Sequence, residues 1–191
     1  DNTLEESEEE SLLVLRESLN SIDSSDYGLG VMTGRSIELA RERYLELHLP
    51  SPTVWICRAG TEIYYGEENQ QDRFWQSSIG IDWNRNGVEH ALIALDKHLI
   101  LQDESQQSSY KVSYLLNEPG DSILPIVRKH LRQKGQAALP YLRCHWFLDV
   151  IPLRASRTEA IRHLALRWGL PLNEVFVVAS QHGDDELICG L

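Results

Sequence analysis

Between residues 27 and 65 the chain reads YGLGVMTGRSIELARERYLELHLPSPTVWICRAGTEIYY, and this stretch decides the fold. Tyr27 to Met32 reads as a short buried strand ending at Thr33-Gly34-Arg35. Ser36 to His48 follows as an amphipathic helix, with Ile37, Leu39, Ala40, Tyr44, Leu45 and Leu47 as core candidates. Pro50 and Pro52 close it, because proline cannot continue a helix beyond its first turn. Thr53 to Cys57 is the next strand, and Thr61 to Tyr65, past Gly60, another. Strand, helix, strand in this order predicts an α/β fold with a doubly wound parallel sheet.

From Gly66 the texture changes. Residues 67–78 are polar and glutamine-rich around Phe74 and Trp75. Ile81 and Trp83 lead into a predicted helix from Val88 to His98, Tyr110 to Leu116 alternates as a strand, and Ile123 to Arg132 reads as a helix. Tyr141 to Ile151 reads as a hairpin or two linked strands. This mixture predicts an α+β cap insert over residues 67–148, between two core segments at 1–66 and 149–191. After Pro152 the α/β pattern returns, with a helix from Arg157 to Trp168, a stop at Gly169 and a buried strand from Val175 to Ala179. Near the start, Leu12, Leu15, Leu19 and Ile22 fall on one face of a helix whose first turn is acidic.

A chain of 191 residues holds one full-sized domain, or a core plus an insert. Its 29 acidic against 18 basic residues give −11, a charge that repels phosphate backbones and anionic lipid, so neither nucleic acid nor membrane is an expected partner. Cys57, Cys144 and Cys189 are odd in number and widely spaced, which suits a reducing, cytoplasmic setting better than a disulfide framework or a metal site. The only methionine is Met32, and the chain stops soon after a strand-like run. A fragment of a longer protein is therefore expected, with the first core strand missing and the second core segment truncated.

Four short stretches stand at strand ends, where open α/β sheets place ligands: Asp1-Asn2-Thr3-Leu4, Thr33-Gly34-Arg35, Arg154 to Arg157, and His182 to Glu186. Each alone has an ordinary structural use as an N-cap, a turn or an acidic loop. Their order is more specific. Asp-Asn-Thr-Leu, Thr-Gly-Arg, an α+β insert, Asp149-Val150-Ile151-Pro152 and an acidic strand-end loop together resemble the haloacid-dehalogenase (HAD) superfamily with a C2-type cap. More narrowly, the chain is similar to sucrose-phosphate phosphatases and to the phosphatase-like C-terminal region of sucrose-phosphate synthases. That similarity rests on residues 60–66, Lys111-Val112-Ser113-Tyr114, residues 149–153, Ala155-Ser156-Arg157 and Arg167-Trp168-Gly169-Leu170, and the phrases around Pro152 look closer to the synthase branch.

The resemblance implies roles residue by residue. Active members open with Asp-x-Asp-x-Thr, a nucleophilic aspartate followed by a general acid and base. Asn2-Thr3-Leu4 places Asp1 at the second aspartate. Thr33 matches a hydroxyl that bonds a phosphoryl oxygen, and Arg35 reads either as a phosphate neighbour or as a surface arginine at a helix start. Arg157 stands where the family carries a lysine; it keeps the charge with a larger, planar head, and its bland reading is a solvent-facing helix start. In Ser180-Gln181-His182-Gly183-Asp184-Asp185, Gln181 replaces a Mg²⁺-ligand aspartate while Asp185 matches another. A neutral amide is a weak substitute, because Mg²⁺ prefers anionic oxygen.

In the insert, Trp75, Trp83, Tyr64, Tyr65 and Tyr110 read either as a sugar-stacking cap or as its core. Lys111 is the best basic candidate there for a substrate phosphate or hydroxyl. The resemblance implies a degenerate HAD domain in a sucrose-phosphate synthase, beside a glycosyltransferase domain of the same parent chain. Its alternatives are an active Mg²⁺-dependent sucrose 6-phosphate phosphatase and a module that binds sucrose 6-phosphate or sucrose without chemistry.

Overall fold

The computed structural model describes residues 9–21 and 27–178. Two four-stranded sheets organise them. The first is built from β1 (Gly30–Met32), β2 (Val54–Cys57), β3 (Glu62–Tyr65) and β4 (Gln70–Gln71), in that spatial order. Helix α2 (Ile37–Glu46) connects β1 to β2 as a crossover, so these two strands are parallel, with Val31 opposite Trp55. Only a tight turn joins β2 to β3, so that pair is antiparallel, with Ile56 opposite Ile63. Helix α1 (Glu9–Ser21) precedes the sheet and is tied to the end of α2 by Arg16, whose guanidinium donates to the Leu47 carbonyl at 2.9 Å.

Strand β2 is buried on both faces, and its alternation sorts the layers. Trp55 and Cys57 meet Ile37, Ala40 and Tyr44 of α2 on one side. Val54 and Ile56 face α3 (Arg73–Ile79) and α6 (Arg157–Trp168) on the other, through Trp75, Ile79, Ala160, Ile161 and Leu164. Leu39 and Leu45, expected in the core, are instead 46% and 70% exposed, on the face of α2 turned away from Ile37, Ala40 and Tyr44.

The second sheet has the order β5 (Leu99–Leu101), β6 (Val112–Leu116), β8 (Phe147–Pro152), β7 (Ala138–Arg143), and every pair is antiparallel. Helices α4 (Arg85–Leu92) and α5 (Ile123–Gln133) cover one face, packing Val88, Ala91, Leu92, Val127 and Leu131 onto Val112, Leu116, Leu148 and Val150.

Three sequence expectations change. The polar stretch 67–78 contains β4 and most of α3, because the Asp72 carboxylate caps the helix by accepting the Trp75 N–H at 2.9 Å. The helix expected to His98 ends at Leu92; a 3₁₀ turn follows, and Leu99 then pairs with Leu116 as the start of β5. Residues 175–178 do not form the predicted buried strand: Val175 and Val177 pack inward while Phe176 and Val178 are 91% and 83% exposed. Among the described residues no strand lies beside them to complete a ladder. The expected strand position Ala179 lies outside the described residues.

Candidate functional site

Thr33 follows the last residue of β1 and is only 6% exposed. Its N–H donates to the Ile56 carbonyl at 2.9 Å, and its hydroxyl accepts the Arg35 N–H at 3.1 Å, so the side chain is fixed by its own turn. Its carbonyl accepts the Ala59 N–H at 3.3 Å, and the Arg35 carbonyl accepts the Arg58 N–H at 3.1 Å. The loop after β1 is thus bonded to the loop after β2.

That second loop bends through three consecutive left-handed residues, Arg58 (φ 47°), Ala59 (φ 64°) and Gly60 (φ 94°). Gly60 lies against the backbone of Ser156 and Arg157, where a β-carbon would stand 2.4 Å from the Ser156 carbonyl. The Ser156 hydroxyl caps α6 by accepting the Glu159 N–H at 3.0 Å, which sets Arg157 as the first residue of the helix. The Gly60 carbonyl in turn accepts the Trp75 indole N–H at 3.0 Å. Thr33, Arg35 and Arg157, proposed from separate motifs, are therefore linked through one backbone junction. Asp1, Gln181 and Asp185 lie outside the described residues.

Arg58 was not anticipated. It sits 15% exposed with Nε 3.5 Å from the Glu62 carboxylate, and Nη1 reaches the Ser105 carbonyl at 3.4 Å in the loop before β6. Burial pushes Glu62 above the ordinary carboxylate range, against the pull of Arg58. A basic residue two positions before a glycine, straight after a strand-like run, is the sequence signal that marked it.

Two expected substrate contacts are corrected. Trp75 is 4% exposed and spends its N–H on Gly60, so it is part of the core and offers no ring to a sugar. Lys111 is 1% exposed, and its ammonium lies 3.7 Å from the Asp149 carboxylate. Asp149 is the hub of a buried network on the face of the second sheet opposite α4 and α5. It accepts from the Ser113 hydroxyl at 2.5 Å, the Tyr141 hydroxyl at 3.1 Å and Arg143 Nε at 2.7 Å.

The strand period explains the assembly. Ser113 and Tyr141 are the cross-strand neighbours of Asp149, and Lys111 and Arg143 are two residues further along on the same face. Burial works against the Asp149 carboxylate, but the charges of Lys111 and Arg143 and the hydrogen bonds outweigh it and hold it below the ordinary value. An acid between Leu148 and Val150 in a strand was the available signal, and the partners it needed were distant in sequence.

A second carboxylate, Asp72, is 3% exposed at the opposite end of the first sheet. Its Oδ2 accepts from the Tyr65 hydroxyl at 2.5 Å and meets His163 Nε2 at 2.9 Å, with Arg167 Nη1 at 3.6 Å. Burial raises its pKa, but the bonds from Tyr65, the Trp75 N–H and His163 dominate and hold it low. Among the described residues, no three or more His, Cys, Asp or Glu side chains gather into a metal-binding group, and no helix is long and apolar enough to cross a membrane.

The probable sucrose-phosphate synthase 3 of Arabidopsis thaliana is 30% identical across 71% of this chain, and the sucrose-phosphate synthase of Zea mays 28% identical across 71%. In each case the match spans only 15% of the relative's length. Among solved structures, the sucrose-phosphatase of Synechocystis sp. PCC6803, in complex with sucrose and phosphate, superposes with a TM-score of 0.78 at 23% identity, covering 86% of this chain and 66% of that one. A haloacid dehalogenase-like hydrolase of Bacillus subtilis gives 0.62 at 20% identity, covering 94% and 70%. The fold is HAD-like, as the sequence resemblance implied. The family model described as sucrose-6F-phosphate phosphohydrolase matches residues 1–191, and the chain belongs to that family.

Proposed function

We propose that this chain is the sucrose-phosphatase-like domain of a sucrose-phosphate synthase, without phosphatase activity of its own and with a structural or regulatory role in sucrose biosynthesis. The observation that carries this reading is Arg157. It opens α6 at the backbone junction with Gly60, where the family resemblance calls for a lysine. A guanidinium is planar, wider and less able to approach a small tetrahedral centre than an ammonium. Gln181, a neutral amide at a Mg²⁺-ligand position, supports the same reading, since Mg²⁺ favours carboxylate oxygen. The similarity to synthases many times longer than this chain also supports it, with a glycosyltransferase domain as the expected neighbour.

In this reading residues 1–66 and 149–191 form the HAD core and 67–148 the cap. The second sheet with α4 and α5 supports a separate cap layer, but its strand β8 runs on to Pro152, past the 148 boundary, and α3 belongs to the cap segment yet packs on the first sheet.

The second reading is an active Mg²⁺-dependent sucrose 6-phosphate phosphatase, favoured by the family match and by the fixed hydroxyl of Thr33. A module that binds a sugar phosphate without chemistry stands beside it, favoured by the half-buried cations Arg58, beside Glu62, and Arg143, beside Asp149. One experiment separates them. The intact protein is incubated with sucrose 6-phosphate, with and without Mg²⁺, beside an Arg157→Lys/Gln181→Asp variant. No phosphate release from the natural sequence, with release restored in the variant, supports the first reading. Mg²⁺-dependent release by the natural sequence overturns it in favour of the phosphatase. Binding of sucrose 6-phosphate without release from either protein favours the module.

A further inference from the structure

The first sheet has a second end, away from Thr33. Strand β3 runs against β1 and β2, so Glu62 lies opposite Cys57 near Thr33, whereas Tyr65 lies opposite Val54 at the far end. Helix α6 spans the same distance, from Arg157 beside Gly60 to Arg167, whose guanidinium sits 5.6 Å over the Tyr65 ring. At this far end an open cavity of ≈ 580 Å³ lies between β4, the start of α3 and the last turn of α6. We propose that it is a saccharide-binding site, separate from the Thr33 end and independent of whether that end performs chemistry.

Three features of the lining point to a sugar. Phe74 is 69% exposed, yet its ring is stacked on the His163 imidazole at 6.0 Å and 17°, so an open apolar face is held in one orientation. The C–H face of a pyranose packs on such a platform. Around it stand Gln70, whose amide both donates and accepts, and Arg73 and Arg167, which donate, while the Gln71 amide is bonded to the Tyr64 hydroxyl. Hydroxyl groups require both kinds of partner. A site for a bare anion would need donors and no platform, and a site for an apolar ligand would not be ringed by amides and guanidinia.

The third feature is preorganisation. The Asp72 carboxylate is committed to Tyr65, His163 and Arg167, so it is no ligand acceptor itself; it is a positioning residue for the platform and its rim. The cavity falls within the volume range of small-molecule sites and has room for a disaccharide.

The test is calorimetric titration of the intact protein with sucrose, with inorganic phosphate as an anion control, on the natural sequence and on Phe74→Ala, Phe74→Trp and Arg35→Ala. The expected result is sucrose binding that weakens about tenfold in Phe74→Ala, the size of one aromatic contact, is retained in Phe74→Trp and is unchanged in Arg35→Ala. Phe74 is largely exposed, so thermal melting of Phe74→Ala serves as the folding control. Absence of sucrose binding, binding indifferent to Phe74, or phosphate binding with the same Phe74 dependence each overturns the proposal. Failure of the phosphatase-domain reading would appear in phosphate release and leave this Phe74 dependence untouched.

Discussion

Gly60 and Ser156 are in backbone contact: a β-carbon on Gly60 would stand 2.4 Å from both the carbonyl carbon and the carbonyl oxygen of Ser156. Ninety-six positions apart in sequence, the two residues close the junction that gathers the loop after β1, the loop after β2 and the start of α6. Because the obstacle is backbone, no side chain can rotate out of the way.

Gly60→Ala is accordingly expected to destabilise strongly. The new methyl meets both the clash and a φ of +94°, and overpacking against immovable backbone costs about 1–3 kcal/mol or more before the unfavourable φ is added. Urea unfolding followed by tryptophan fluorescence measures it. A change below about 0.5 kcal/mol, typical of an unremarkable surface site, would show that the junction yields.

The Asp149 network makes a prediction about partners. Asp149→Asn removes the charge that Lys111 and Arg143 neutralise, and breaking a buried pair from one side costs about 3–5 kcal/mol. The double variant Lys111→Met/Asp149→Leu removes both ends of one pair and is expected to lose less than the sum of its single changes. Additive losses in a double-mutant cycle would contradict the coupling.

Acid stability follows from the two depressed carboxylates. Asp149 and Asp72 both titrate below their unfolded value in the native chain, so each contributes stability that is complete above a pH of about 4. As pH falls from there through the folded values, the native state must take up protons that the unfolded chain already holds, and the contribution is lost. Asp149→Asn is expected to flatten the fall in unfolding free energy below pH ~4 relative to the natural sequence. Parallel curves for the two proteins would argue against it.

Trp75→Phe keeps the ring in the core but leaves the Gly60 carbonyl without its indole donor. An unsatisfied buried acceptor costs about 1–3 kcal/mol, and the denaturation midpoint is expected to drop with no change in its slope. An unchanged midpoint would mean that Gly60 finds another donor.

The elements that sequence alone revealed are those whose causes are local. Helix α6 runs from Arg157 to Trp168 as predicted because Ser156 caps it, its apolar residues fall on one face, and Gly169 adopts the left-handed conformation that ends it. The β7–β8 hairpin was equally readable. Strand β5 was not, since Leu99 to Leu101 are three apolar residues without alternation and become a strand only by pairing with β6. Helix α3 was hidden by its glutamine-rich surroundings; what holds it is Asp72 and two buried side chains, Trp75 and Ile79. At the site, Thr33 and Arg157 stood out as local motifs. Asp149 stood out only as part of the Asp149-Val150-Ile151-Pro152 motif, and its network did not, because Ser113 lies 36 residues before it and only the sheet brings them together. The same blindness placed Trp75 and Lys111 on a substrate-facing surface, since burial depends on neighbours that one stretch of sequence does not contain.

Helix α6 has a mechanical consequence. Its 12 residues make a rod ~18 Å long, seated at its first residue on Gly60, carrying His163 at mid-length against Phe74 and Arg167 in its last turn over Tyr65. A rod does not bend at each residue independently, so a tilt of α6 would move the Phe74–His163 stack and the Gly60 junction together.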